Sequence, residues 1–262
     1  MIVGMDGVGT TESGRRVFFV MSQAPFGGMA EKTVVAAQRC VPLPDEVDDV
    51  TAAAIANPGL SSVAALKLRA GFKAGETVFV NGATGTAGKL AVQMARFMGA
   101  KKVIATGRDA AVLRQVAGFG ADVTIDLTGE PKELEEAVAE QFRGDGVDVV
   151  LDYLYGERAE MLLTTIAKNY KSPKPLRYVV IGGGSGQEIT LPSAVLRAVP
   201  VMLMGSGLGS VPFRDLVGAV NDVMQAVVPA KLQIETRVVP LADVEKTWNA
   251  DVGKARVVFV VR

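Results

Sequence analysis

The sequence predicts an α/β fold, with a doubly wound parallel sheet and a smaller β domain built from both chain ends. Three observations predict it. Short apolar runs alternate with helical patterns through the middle of the chain, as in a parallel sheet covered by helices. A glycine-rich turn separates the first of these runs from its helix. Both ends of the chain instead contain short strands without that alternation.

Composition excludes several classes of function. The 262 residues are 49% hydrophobic, which is ample for a globular core. Acidic and basic residues balance at 28 each, so we expect neither nucleic acid nor an anionic membrane as a partner. The sequence contains no histidine and a single cysteine, Cys40. Because histidine and cysteine are the commonest ligands of protein-bound zinc, we expect no bound metal. Without a signal peptide or a long uncharged run, the expectation is a soluble, cytoplasmic protein.

Residues 1–56 predict small antiparallel β structure rather than an α/β pattern. Glycines mark turns in a turn-rich opening, and strands are expected over Arg16–Val20 and Ala30–Ala36. An alanine-rich helix should follow over Asp45–Ala56. Asn57-Pro58-Gly59 should end it, and a second helix should run over Ser61–Ala70.

The stretch from Glu76 to Asp109 organises the rest of the chain. Thr77–Val80 is a β-branched and aromatic run typical of a buried strand. A helical pattern begins at Ala87 and ends at Gly99, and Val103–Thr106 is a second short strand. Strand, glycine turn, helix and strand form the first half of a dinucleotide-binding βαβ unit.

The turn itself carries the chemistry of nucleotide binding. It is a G-x-G-x-x-G pattern with alanine in the first place, comprising Ala83, Thr84, Gly85, Thr86, Ala87 and Gly88. Gly85 would let the backbone approach a pyrophosphate, and Gly88 would let the helix pack close to the strand. The N–H groups at the start of the helix would then hold the phosphates.

The alternation continues beyond Asp109, which is a plausible N-cap for the next helix. Further strands are predicted over Asp122–Asp126, Asp148–Asp152, Arg177–Ile181 and Val199–Met204, and helices over Ala110–Ala117, Pro131–Phe142, Glu157–Lys168 and Arg214–Val227. Gln233–Val239 and Arg256–Val261 are strands without βαβ spacing. We expect them to return to the antiparallel N-terminal part.

Several short blocks, in this order and spacing, resemble the medium-chain dehydrogenase/reductase superfamily in its zinc-free quinone oxidoreductase-like (enoyl reductase) branch. They are Gly28-Met-Ala-Glu31, Leu43-Pro44-Asp45, Pro58-Gly59-Leu60-Ser61-Ser62, Asn81 to Gly88, Asp148 to Asp152 and Gly205 to Ser210. The Gly-x-Asp-x-x-Gly block, which lies well inside the family's β domain, begins this chain at Gly4. The resemblance therefore implies that the family's first several dozen residues are absent here.

The resemblance implies a GroES-like β domain from residues 1–55 and 206–262, and a Rossmann domain from residues 56–205. It also implies NADPH in the cleft, hydride transfer to a quinone, enone or related carbonyl, and a homodimer. By the same resemblance, Ala83 to Gly88 would hold the pyrophosphate. The nicotinamide side would be lined by Ser61, Leu154, Ile181, Gly182, Gly205 and Ser206.

The end of the second strand predicts NADPH rather than NADH. An acidic residue at this place would accept hydrogen bonds from the ribose and repel a 2′-phosphate. Here Gly107 is expected to leave room for the phosphate, and Arg108 can donate two parallel hydrogen bonds to it. Asp109 is better placed to cap the following helix than to take the acidic role.

No catalytic residue follows from the sequence, and two alternatives stay open. Tyr153 and Tyr155 follow the fourth strand and could donate a proton, but aromatic packing at a strand end is the simpler explanation of both. Tyr170 and Lys174 have the spacing of short-chain reductases, but Pro173 lies between them and disfavours the single helical turn that this pair needs. A structural or sensing protein that binds NADPH without turnover is the other alternative.

Overall fold

The computed structural model describes residues 1–144, 146–251 and 253–261. The chain divides into two compact units. The outer unit comprises Met1–Leu60 with Phe213–Arg262, and the inner unit comprises Ser61–Pro212. That the outer unit is a GroES-like domain stays a prediction, as do the predicted domain limits.

The described residues form strands and helices that we number along the chain. The strands are β1 (Asp6–Thr10), β2 (Arg16–Val20), β3 (Cys40–Pro42), β4 (Thr77–Asn81), β5 (Lys102–Gly107), β6 (Val123–Asp126), β7 (Val149–Asp152), β8 (Leu176–Val180), β9 (Val201–Gly205), β10 (Thr236–Pro240) and β11 (Arg256–Val260). The helices are α1 (Asp49–Val63), α2 (Thr86–Phe97), α3 (Ala110–Gly118), α4 (Pro131–Phe142), α5 (Gly156–Asn169), α6 (Ser193–Ala198), α7 (Phe213–Ala226) and α8 (Val244–Trp248).

The inner unit contains a parallel sheet in the order β6-β5-β4-β7-β8-β9 among its described residues. This confirms the predicted doubly wound α/β class. Alternate residues of the central strands pack on opposite faces, so Val78 and Val80 belong to one core and Phe79 to the other. All five residues of β4 are buried. Burial on both faces explains why the central strands read as continuous apolar runs.

The outer unit differs from the prediction at both chain ends. In its described residues, β1, β2 and β3 form an antiparallel sheet, with Phe18 only 1% exposed. By contrast, β10 and β11 pair with each other in parallel, as a separate sheet. The expectation that they return to the antiparallel part is therefore wrong. The β-rich sequence patterns at the two chain ends predict strands, but they do not indicate which strands pair or in which direction.

Two further local predictions for the outer unit are wrong. Residues 30–36 form no strand. The described backbone hydrogen bonds of this stretch are one from the Gln23 N–H to the Val34 carbonyl (2.8 Å) and a local turn from the Arg39 N–H to the Ala36 carbonyl (2.8 Å), which do not make a ladder. The glycine-rich stretch Asp6–Thr10 is a strand, although its sequence is typical of turns. Its register with β2 pairs Asp6 with Val20, so the partner strand sets its conformation.

Helix α1 does not end at Asn57-Pro58-Gly59. It continues through Pro58 to Val63, and a π-helical segment, Ala64–Arg69, follows directly. Proline removes one helical hydrogen bond at a cost of ~3 kcal/mol. Packing offsets that cost, since Ala54, Ile55 and Ala56 are at most 1% exposed. A Cβ on Gly59 would lie 2.8 Å from Val223 of α7, so glycine is what the close helix packing requires.

Candidate functional site

The strand order of the inner sheet reverses between β4 and β7. In open α/β sheets, ligands bind in the crevice outside the carboxyl ends of the strands at such a switch point. The turn after β4 leads into α2, with Gly85 as its N-cap at φ −78° and ψ 164°. Glycine carries no side chain to cap the first N–H groups of α2. Those groups can therefore hold an anion.

Each glycine of this turn is required, or permitted, for a different physical reason. A Cβ on Gly88 would lie 2.3 Å from the Gly82 carbonyl oxygen, so Gly88 is required by the close packing of α2 on the turn. Gly82 itself has φ +91°, a conformation that L side chains rarely adopt. A Cβ on Gly85 would meet only the Gly82 oxygen, at 3.8 Å, among the described atoms. The packing of the protein does not require glycine there, and the space in front of Gly85 is open to a ligand.

The structure gives a different reason for glycine at position 107 from the one predicted. A Cβ at this position would lie 2.2 Å from Cγ2 of Thr84. The space beside Gly107 is thus filled by a side chain of the glycine turn, and it is not room left for a phosphate. The close contact instead brings the end of β5 against the turn before α2.

Arg108 and Asp109 follow Gly107 and have separate roles in the structure. The Asp109 carboxylate accepts hydrogen bonds from the N–H groups of Ala111 and Val112, both at 3.0 Å, which confirms it as the N-cap of α3. Arg108 is exposed, and its guanidinium makes no hydrogen bond or ion pair within the described residues. It is available to a ligand at this edge of the sheet.

A buried polar network lies beneath the switch point. Asn81 and Asp152 end β4 and β7, and the Asn81 Nδ2 donates to Asp152 Oδ1 at 2.8 Å. Thr106 of β5 donates its hydroxyl to Asn81 Oδ1 at 2.8 Å and accepts from the Gly82 N–H at 3.2 Å. Asn81, Thr106 and Asp152 are at most 3% exposed. Sequence reasoning missed this network, although a polar residue at the end of each buried strand is a signal that could have found it.

Asp152 is the centre of that network. Its Oδ1 also accepts from the backbone N–H groups of Leu154 and Tyr155, at 2.9 and 3.1 Å. Its Oδ2 accepts from the hydroxyl of Tyr178 at 2.7 Å. Burial, followed by the nearby Asp152 charge, raises the pKa of Tyr178 well above its ordinary value, so this phenol stays protonated and donates. The predicted contact residue Leu154 is thereby fixed through its own N–H.

Ile181 and Gly182 lie against the loop after β7. Their N–H groups both donate to the Asp152 carbonyl oxygen, at 2.8 and 3.2 Å. A Cβ on Gly182 would lie 2.8 Å from the Tyr153 carbonyl oxygen, so glycine allows the two loops to touch. The structure brings these predicted residues together with Leu154 at the carboxyl edge of the sheet.

Ser61 and Tyr153 form a hydroxyl pair in the inner unit, with 3.2 Å between Ser61 Oγ and the Tyr153 oxygen. Burial raises the pKa of Tyr153, and the hydrogen bond with Ser61 offsets this only in part. The phenol is thus neutral at physiological pH. Sequence reasoning singled out both residues but did not predict that they meet.

Gly205 ends β9 and Ser206 follows it, and an arginine of the π-helical segment binds the backbone on both sides of Ser206. Arg69 Nε donates to the Gly205 carbonyl at 2.7 Å, and its Nη1 donates to the Ser210 carbonyl at 3.2 Å. The Ser206 N–H continues the ladder to the Val180 carbonyl at 2.8 Å. Both predicted residues therefore stand at the same carboxyl edge as Gly182.

Tyr155 has an unusual backbone, with φ 54° and ψ −154°, close to a region that is essentially restricted to glycine. Such a conformation costs about 1–3 kcal/mol. Its side chain lines a mainly apolar cavity of about 220 Å³ between α5, β8 and β9. Tyr178, Leu163, Val180, Ile189, Leu203, Met204 and Gly205 also line it. Tyr155 and Tyr153 therefore have different surroundings.

The short-chain reductase alternative does not fit this geometry. Tyr170 caps the carboxyl end of α5, and Lys174 lies beyond that helix. The Tyr170 hydroxyl donates to the Lys174 carbonyl at 2.8 Å. A tyrosine and a lysine on one helical turn, which that chemistry needs, are not formed by this pair.

Two absences concern only the described part of the chain. Within residues 1–144, 146–251 and 253–261, no three His, Cys, Asp or Glu side chains lie close enough together to hold a metal ion. In the same residues, no helix combines the length and the apolar character that crossing a bilayer requires.

Comparisons with known sequences agree with this geometry. A profile described as "Zinc-binding dehydrogenase" matches residues 87–225. The "Probable NADPH-dependent quinone reductase tdiC" of Emericella nidulans is 33% identical over 228 residues, covering 82% of this chain and 63% of the relative. "Quinone oxidoreductase-like protein 2" of Bos taurus is 29% identical and covers 76% of this chain and 54% of the relative. The chain thus spans between about half and two thirds of these curated relatives.

Solved structures share the fold over nearly the whole chain. The quinone oxidoreductase from Thermus thermophilus, solved alone and with NADPH, matches with a TM-score of 0.71 and 28% identity over 92% of this chain and 74% of its own. The Escherichia coli quinone oxidoreductase complexed with NADPH matches with a TM-score of 0.75 over 98% of this chain and 82% of its own. At 20% identity, the second likeness concerns the fold alone.

Proposed function

This chain belongs to the medium-chain dehydrogenase/reductase superfamily as a quinone oxidoreductase-like member, and from that premise we propose that it is an NADPH-dependent oxidoreductase. The proposed reaction passes hydride to a quinone, an enone or a related small carbonyl compound, without zinc. The observation that carries the proposal is the glycine turn, which presents the uncapped start of α2 at the β4/β7 switch point.

The residues of this turn fit a dinucleotide. The open space in front of Gly85 admits a pyrophosphate, while Gly88 keeps α2 against the turn. The N–H groups from Thr86 onward would hold its oxygens, and the partial positive charge of the helix start favours an anion. The exposed guanidinium of Arg108 would meet the 2′-phosphate with charge-assisted bonds. Thr84 and Ala87 complete the same turn.

The carboxyl edge supplies the residues for the nicotinamide side. Leu154, Ile181 and Gly182 are held by Asp152, and Gly205 and Ser206 are held by Arg69 and β8. When bound there, NADPH supplies the hydride, and the protein orients the reacting groups. The neutral hydroxyl pair of Ser61 and Tyr153 can donate hydrogen bonds at physiological pH.

Zinc independence is part of the proposal. A catalytic or structural zinc needs three or four cysteine, histidine or carboxylate ligands. The sequence has one cysteine and no histidine. The single cysteine also supports a cytoplasmic location, where thiols stay reduced.

A homodimer through β9 is also proposed. This strand lies at one end of the described sheet, so one side of it carries unpaired backbone groups. Met202 and Leu203 of β9 are 49% and 39% exposed, and Leu196 of the preceding helix is 47% exposed. Pairing of β9 with a second copy would satisfy the backbone groups and cover these side chains.

The proposal is tested by NADPH consumption with quinones, enones and aldehydes as acceptors, together with NADPH binding by titration. Turnover with at least one acceptor is expected, and it should survive dialysis against a chelator. Binding without turnover would instead favour a structural or sensing role. Zinc that stays at one ion per chain after dialysis would contradict the zinc-independent reaction.

A further inference from the structure

We infer that Thr106 is a positioning residue, which fixes the glycine turn through its hydroxyl and so sets the affinity for the nucleotide. The inference rests on the proposed function, because it concerns the same site. Thr106 does not touch the expected position of the phosphates. It acts on them through the main chain of Gly82 and Ala83.

The contacts of Thr106 with the turn are made by both its side chain and its backbone. Its Oγ1 accepts from the Gly82 N–H at 3.2 Å, and its carbonyl oxygen accepts from the Ala83 N–H at 2.7 Å. Two consecutive amides of the turn are thus tied to the end of β5. Gly85, where the open space lies, is two residues further along.

The hydroxyl is also held in one orientation. Because Thr106 Oγ1 donates to Asn81 Oδ1 at 2.8 Å, its lone pairs are directed to the Gly82 N–H. Asn81 is fixed in turn, since its Nδ2 donates to Asp152 Oδ1 at 2.8 Å. Thr106 is 1% exposed, so water cannot readily replace its hydroxyl. Without that oxygen, the buried Gly82 N–H would lose its acceptor.

The same residue joins the two halves of the proposed nucleotide site. Thr106 directly precedes Gly107 and Arg108, on the side expected to bind the 2′-phosphate. Thr84 of the turn packs against Gly107, where a Cβ would lie 2.2 Å from Thr84 Cγ2. The hydroxyl therefore sets the position of the turn relative to Arg108, and a loosened turn should weaken both contacts to the ligand.

The test compares Thr106→Val, which keeps the shape but removes the hydroxyl, with Thr106→Ser, which keeps the hydroxyl. Thr165→Val in α5 is the matched control, because Thr165 is also 1% exposed and its hydroxyl contacts only Met161 Sδ, at 3.8 Å, among its described partners. Kd for NADPH is measured by titration. KM for NADPH and kcat are measured with an acceptor that the wild type reduces.

Thr106→Val should raise Kd and KM for NADPH about tenfold, the effect of about one lost hydrogen bond, with kcat at saturating NADPH within about twofold of wild type. Thr106→Ser should restore Kd to within about threefold. Thr165→Val should leave Kd unchanged even if it lowers the melting temperature. Equal Kd values for wild type, Thr106→Val and Thr106→Ser would overturn the inference, as would an equal rise in Thr165→Val.

The outcomes separate this inference from the proposed function. If the wild type binds NADPH and the valine variant binds it equally well, only the role of Thr106 fails. If the wild type binds no nicotinamide nucleotide, both fail.

A second measurement, on the wild-type chain, tests the inference even if the Thr106→Val variant does not fold. Without ligand, the Gly82 amide should exchange hydrogen at least about a hundredfold more slowly than an exposed amide, and exchange at the exposed rate would overturn the inference.

Discussion

Asn81 and Asp152 are partners in the β4/β7 register, and a side-chain hydrogen bond of 2.8 Å joins them where the strand order of the sheet reverses. The point that opens the crevice for a ligand is therefore also where the sheet is held by buried polar side chains. A buried polar group left without a partner costs about 1–3 kcal/mol, and more when it is charged. The network consequently links stability to the shape of the site.

Tyr178→Phe should lower the free energy of unfolding by about 2 kcal/mol, because the buried Asp152 Oδ2 loses the phenol that donates to it. Tyr170→Phe is the matched control, since that phenol donates to a neutral backbone carbonyl, of Lys174. It should cost about half as much. Urea unfolding of both variants measures the difference, and equal losses would show that the charge on Asp152 adds nothing.

Gly88→Ala should mainly lower stability, whereas Gly85→Ala should mainly weaken NADPH binding. The added methyl group at residue 88 would lie 2.3 Å from the Gly82 carbonyl oxygen, so we expect a loss of about 2–4 kcal/mol in stability. At residue 85 the methyl group meets only an oxygen at 3.8 Å, and stability should change by less than about 1 kcal/mol. NADPH binding should nevertheless weaken at least tenfold, since the methyl group fills the open space. Gly85→Ala binding as tightly as wild type would place the phosphates elsewhere.

Arg108→Glu should reduce or reverse a preference for NADPH over NADH. A hydrogen bond to a charged group contributes about 1.5–3 kcal/mol, which corresponds to a preference of about ten- to a hundredfold. Both cofactors are titrated into the wild type and the variant. A preference that the substitution leaves unchanged would show that Arg108 does not bind the phosphate. Arg114→Glu, on the following helix α3, controls for a general change in charge.

Met202→Glu should shift the proposed dimer to monomer in sedimentation, because a carboxylate would be buried where β9 pairs with a second copy. Val228→Glu is the control, as both side chains are 49% exposed and Val228 lies in the outer unit. It should leave the assembly unchanged. A wild-type monomer at micromolar concentration would contradict the proposed dimer.

Stability should depend on pH through Asp6. Burial raises the pKa of its carboxyl more than the charge of Arg256 and the bond from Asn57 lower it. The ionised form is thus disfavoured in the folded state, and stability falls as pH rises from the unfolded pKa, about 3.9, through the raised folded pKa. The melting temperature of Asp6→Asn relative to wild type should therefore rise between pH 3 and pH 7. Asp48→Asn should show the reverse, because hydrogen bonds from Thr51 lower the pKa of Asp48.

Local patterns predicted the inner unit well because its strands and helices obey their own periodicities. The predicted helix over Pro131–Phe142 matches α4 residue for residue, and Asp109 caps α3 as expected. Pro58 shows the limit of such patterns. Its intrinsic cost predicts a break, whereas burial of the surrounding alanines keeps α1 continuous. The parallel pairing of β10 and β11 likewise depends on contacts between distant residues.

The candidate site likewise contains some features that local sequence predicts and others that depend on the fold. The glycine turn is readable because a strand, a turn and a helix in sequence have one common use. The hydrogen bonds from Thr106 to Asn81 and from Asn81 to Asp152 link residues 25 and 71 positions apart. Such links need the strand order. The reason for Gly107 also became clear only from its contact with Thr84, which local sequence does not show.

Arg69 gives the inner unit a property that concerns its connectivity rather than its site. It lies eight residues after the start of the unit at Ser61, and it bonds to Gly205 and Ser210, near the end at Pro212. The chain therefore enters and leaves this unit within reach of one side chain. The segment from Ser61 to Pro212 is thus a closed excursion of the chain, in which one arginine joins the outgoing backbone to the returning backbone.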